Sequence, residues 1–165
     1  MARPVFRARL EGAKELERAL RQLPKRVGKA AVRRALAKAA QPIADDAAQR
    51  ASAVRSGLAY GISVKTTLSK RQRRGRFKGK DAVEAFVGAH AARRGVAHLI
   101  EFGTGPRHHK SGKYTGAMPA RPFMRPAWEA GKMRALGAFG RLLWVEIEKA
   151  AKRLARKQAK LEAKS

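Results

Sequence analysis

The apolar residues of this chain are small, and that limits its interior more than any other feature. Residues of the apolar class make up 44% of the sequence, a share inflated by alanine, while aromatics make up only 6%. Alanine favours helices and lets them approach closely, but it buries little area, and apolar area contributes about 25 cal/mol per Å². A chain of 165 residues suits one domain and can hide about two-thirds of its unfolded surface. The expectation is a modest core of helix contacts, completed in part against a neighbouring subunit.

Charge is the second constraint. There are 39 Lys+Arg against 12 Asp+Glu, a formal net charge of +27. Such a field attracts polyanions and repels further copies of itself, so nucleic acid or a strongly acidic protein surface is expected nearby. The chain has no cysteine, which excludes a disulfide framework, a thiolate zinc site and a cysteine nucleophile. No apolar stretch approaches the roughly 20 residues that span a bilayer, and the first residues lack an apolar segment long enough for a secretory signal. The expected location is therefore the cytoplasm of the producing cell until assembly.

Periodicity outlines an α+β fold: a small antiparallel sheet with a long cationic hairpin, packed against two or three helices, and a long C-terminal helix. Phe6, Ala8 and Leu10 alternate with charged neighbours and predict a strand over 3–11. Leu16, Leu20, Leu23 and Val27 predict a helix, and Pro24 suits the first turn of a second one. That second helix carries Val32, Leu36, Ala39, Ile43 and Ala47 to about Ser52, with a kink expected at Pro42. Residues 60–68 and 82–89 predict paired strands, joined through a loop over 70–80. Residues 96–102 predict one or two helical turns capped by Gly103, with a short strand as the alternative, residues 104–121 an exposed loop, and a final helix starts at Pro122. The division expected is a single α+β domain over 1–135, followed by a basic helix and tail over 136–165.

The catalytic inventory is thin. His108 and His109 are adjacent in a loop and diverge, so they make a poor metal site. His98 and Glu101 would share a face of a helix, a pair better suited to a surface or subunit contact than to acid–base chemistry. The run over 103–116 lacks the first glycine of a phosphate-binding loop, and Tyr114 follows Gly112-Lys113. The acids are too few and too scattered for two-metal chemistry. No catalytic residue, metal ligand or cofactor is therefore expected, and the chain reads as a structural protein. The dense cations Lys70, Arg71, Arg73, Arg74, Arg76, Lys78 and Lys80 would meet either DNA phosphates or an acidic neighbour, without reading sequence.

Two segments are more specific. Residues 98–104 read HLIEFGT, with His98, Glu101, Phe102, Gly103 and Thr104; residues 119–127 read PARPFMRPA, with Pro119, Arg121, Pro122, Phe123, Arg125 and Pro126, followed by Trp128. Gly103 permits a positive-φ stop, and the prolines hold an extended approach. Phe123 and Trp128 are expected mostly in the core, with Arg121 and Arg125 at a subunit contact.

In this order and spacing the two segments resemble the phage head–tail joining family, whose type member is the tenth gene product of the Hong Kong lambdoid coliphage. A basic amphipathic helix near the start and the VRSGLAYGISV segment over 54–64 extend the resemblance to about residues 8–130. It implies a virion structural protein of a tailed phage, in a small α/β module that forms a ring, commonly six-fold, at the neck. Its implied partners are further copies of itself, the neighbouring neck and tail-tube proteins, and the packaged DNA passing through the channel, with no membrane. The implied task is tail completion or termination, or head–tail joining. Charge and length would fit equally a cellular, sequence-nonspecific nucleic-acid-binding protein of ribosomal-protein type, but such a protein has no reason to carry the two segments.

Overall fold

The computed structural model describes residues 13–54, 61–67, 82–89 and 94–163. The strand expected over 3–11 and the cationic loop over 70–80 lie outside the described residues. Among the described residues, four helices and two small two-stranded sheets make an α+β fold. In chain order these are α1 (Ala13–Arg21), α2 (Lys25–Val54), β1 (Ile62–Lys65), β2 (Phe86–Ala89), α3 (Arg94–Phe102), β3 (Thr104–His108), β4 (Tyr114–Met118) and α4 (Met124–Glu162). No described helix is long and apolar enough to cross a membrane.

The frame is the contact of α2 with α4. Arg34 and Lys38 of α2 meet Glu146 of α4, while Ile43 meets Gly131, so the two helices run antiparallel. Their seam is alanine: Ala31, Ala35, Ala39, Ala44, Ala47 and Ala51 on α2 and Ala127 and Ala150 on α4 are buried. At Gly131 a Cβ would stand 2.6 Å from Ile43 Cγ1, so this crossing depends on a residue with no side chain. α2 is continuous through Pro42, whose ring removes the bond to the Lys38 carbonyl.

Among the described residues, two apolar clusters lie along the seam. One gathers Ile43, Ala47, Ala51, Ala97, Ile100, Phe123 and Ala127, with Ile62 and Val87 of the first sheet packed against it. The other gathers Leu16, Ala35, Leu143 and Ile147, flanked by Leu20, Val32 and Phe139. α1 thus closes one end of the helix pair, and α3 with the first sheet closes the other. β1 and β2 pair antiparallel as the alternation predicts, in the register Ile62 with Ala89 and Lys65 with Phe86.

Between Gly103 and Pro122 the chain differs from its expected form. The segment read as an exposed loop is a second antiparallel ribbon, β3 with β4, turned through His109–Lys113 and irregular in register around Arg107. Most of its residues are exposed on both faces. A ribbon solvated on both sides needs no apolar alternation, so the signal that identifies half-buried strands was never written there.

Candidate functional site

The two sequence segments meet at one joint, where α3 ends and α4 begins. The first amide groups of α4 have no partner within their own helix, and no side chain at its N-terminus supplies one: Phe123 occupies the cap position. The carboxylate comes from α3 instead. Glu101 Oε2 accepts hydrogen bonds from the amides of Phe123 at 2.8 Å and Met124 at 2.9 Å, and Oε1 accepts one from Arg125 at 3.0 Å. Glu101 is only 8% exposed. A negative charge at a helix N-terminus also meets the positive end of the macrodipole, which reinforces the three bonds.

The backbone completes the joint. The amide of Arg121 donates to the Ile100 carbonyl at 2.8 Å, tying the approach to α4 onto the last turn of α3. Gly103 takes φ 71°, as its expected role as a helix stop requires. A Cβ there would lie 2.7 Å from both the Met118 carbonyl oxygen and the Ala120 nitrogen. Thr104 Oγ1 accepts the Met118 amide at 3.1 Å, clamping the base of the second ribbon. Phe123, 1% exposed, is the plug of the core beneath.

The expected site residues therefore divide into two sets. Glu101, Gly103, Thr104 and Phe123 hold the joint from inside. His98, Phe102, Pro119, Arg121, Pro122, Arg125 and Trp128 are exposed around it, with Pro126 half-buried. Two expectations are corrected. Glu101 is not a surface partner of His98: the helix it sits on turns its carboxylate inward to the unsatisfied start of α4. Trp128 is not a core residue: it is 52% exposed, although Ala127 beside it is buried. The sequence signal for the joint was the missing Ser, Thr, Asp or Asn at the start of α4, which left the cap to be found elsewhere.

A second buried carboxylate was not anticipated. Glu146, 3% exposed, receives Arg34 Nε at 2.5 Å and Lys38 Nζ at 2.6 Å across the seam. The hydrogen bonds from Lys38 and then Arg34 lower its pKa from 4.5 to about 2 against the opposing cost of burial. Both buried acids thus serve the architecture. Among the described residues, no three His, Asp or Glu side chains converge as a metal site would require.

A family profile described as "Bacteriophage HK97-gp10, putative tail-component" matches residues 14–103, just over half of the chain, from α1 to the glycine that ends α3. Neither a curated protein nor a solved structure matches it. The matched span carries the amphipathic α1, the alanine seam of α2, the first sheet and the Glu101-bearing helix. The chain belongs to the HK97-gp10-like family of bacteriophage tail components.

Proposed function

We propose that the protein is a non-enzymatic virion subunit that closes into a homo-oligomeric ring, commonly six-fold, at the head–tail junction of a tailed phage. There it completes or terminates the tail, or joins it to the head, after synthesis in the host cytoplasm. The observation that carries this reading is the division of the joint residues. A buried carboxylate and an enclosed phenyl ring hold in fixed orientation an exposed set that combines large apolar groups with cations: Phe102, Arg121, Arg125 and Trp128. Aromatic and arginine side chains side by side are the composition of interface anchors. Closed rotational symmetry is the usual outcome for soluble homo-oligomers. Self-repulsion at +27 per copy means that the ring forms best at raised salt or on its neighbours.

In the same reading, the cations of residues 70–80 dock an acidic neighbouring tier. The test is a phage complementation assay with Trp128→Ala and Phe102→Ser, and separately with Arg71, Arg73, Arg74 and Arg76 replaced by serine. The reading expects folded protein, a loss of tailed particles, and a symmetric ring at the neck when wild-type particles are imaged. A single asymmetric copy per particle, or full particle yield from every variant, would sink it.

A further inference from the structure

α4 carries a feature that the joint does not use. Arg134, Arg141, Lys149, Lys152, Arg156 and Lys160 are all exposed, and at 100° per residue they fall within an arc of about 100° around the helix. From first to last they span about 39 Å at 1.5 Å per residue. None of the six makes an ion pair or side-chain hydrogen bond among the described residues. No acid falls inside the arc; Glu148 lies at its edge and Glu146 is turned into the seam with Arg34 and Lys38. Arg134 and Arg141 also form the rim of a groove of about 540 Å³ against Lys38 and Pro42 of α2, where Asp46 is held by Arg50.

We propose that this cationic ridge of α4 is a binding surface for double-stranded DNA, engaging the phosphate backbone without reading sequence. It needs neither the ring nor the neck location. Three properties of the ridge select this partner. Its cations are exposed and uncompensated, so each can release a counterion on meeting a phosphate. It is long enough to follow a duplex for about one helical turn. It also lacks aromatic rings: Trp128 and Trp144 project outside the arc, by the same 100° periodicity. Stacking on unpaired bases is therefore absent, which disfavours single strands. The aromatic anchor expected at a protein hot spot is missing for the same reason.

A protein of this charge binds DNA weakly anywhere, so the test must separate the ridge from bulk charge. In one variant the six ridge cations become glutamine. In a control, six exposed cations elsewhere, Lys14, Arg18, Arg26, Arg33, Lys110 and Lys113, become glutamine, so that the net charge is the same. Binding of two labelled duplexes of unrelated sequence is measured across a salt series, with melting curves as the check on folding. Poly-glutamate serves as the acidic-protein probe.

The ridge variant is expected to lose about tenfold or more in duplex affinity, equally for both sequences. Its slope of log K against log salt should be shallower by about 0.9 for each phosphate that is no longer neutralised. The control should stay within a few-fold of wild type. Equal losses in the two variants would assign binding to bulk charge and overturn the proposal. So would unchanged duplex binding, or a loss on poly-glutamate with none on the duplex. If the sixfold variant does not fold, the pair Lys152→Gln and Arg156→Gln, both beyond the buried seam, is measured in its place against Arg26→Gln and Arg33→Gln, with the same criteria.

Discussion

The carboxylate of Glu101 accepts the amide of Phe123 at 2.8 Å, although 22 residues and an entire β-ribbon separate them in the chain. This bond, with those to Met124 and Arg125, fixes the direction in which the longest helix leaves the fold. Replacing Glu101 with alanine leaves three amides without their acceptor, at about 1–3 kcal/mol for each that stays buried. We expect a total loss of about 3 kcal/mol in chemical denaturation, and about half of that for Glu101→Gln, which keeps one oxygen. An alanine variant as stable as wild type would mean that water caps α4 equally well.

Gly103→Ala should cost about 2 kcal/mol or more. A left-handed backbone conformation alone costs an L-residue about 1–2 kcal/mol, and at φ 71° the new Cβ also meets backbone atoms at 2.7 Å, which cannot swing aside as a side chain would. Thermal melting measures this directly. A shift within error of zero would show that the ribbon base gives way freely.

Phe123 and Trp128 should separate cleanly under the same substitution. Phe123→Ala empties a fully enclosed site and should cost about 3–5 kcal/mol. Trp128→Ala removes a half-exposed ring and should cost about 1 kcal/mol or less. Equal losses in denaturant melts would contradict the burial difference.

Glu146 gives the fold an acid-sensitive element. Its folded pKa is depressed to about 2 from 4.5, so its contribution is complete above pH 4.5 and is lost as pH falls from there towards 2. The linked stability is up to about 3 kcal/mol. Glu146→Gln should be less stable than wild type at pH 7, and the gap should narrow progressively below pH 4.5. A gap independent of pH would show that the pair with Arg34 and Lys38 contributes no charge energy.

Much of the layout was legible along the chain. The three–four spacing marked α1 and α2, but α1 ends at Arg21, before Leu23 and Val27, and the stripe that α2 buries runs through Ala31, Ala35, Ala39, Ile43 and Ala47, with Val32 and Leu36 only half-buried beside it. Alternation marked β1 and β2, and Gly103 marked the end of α3. The second ribbon left no such trace, since a strand wet on both faces can be built from glycine, threonine, arginine and histidine. Trp128 misled because size alone was taken for burial, whereas burial depends on which element lies over a position, and Trp128 stays half-exposed.

What the sequence by itself determined is most of the elements and their chemistry: alanine-faced helices, one half-buried sheet, a dominant positive charge and a first segment that lies within the span matching the family. Those are local properties, set by periodicity, propensity and composition. Only the tertiary structure decided what the scarce acids do. Residues far apart in the chain meet after α2 and α4 have packed, and a carboxylate's role depends on which donors face it once it is buried. Glu101 became a helix cap and Glu146 a clasp for that reason.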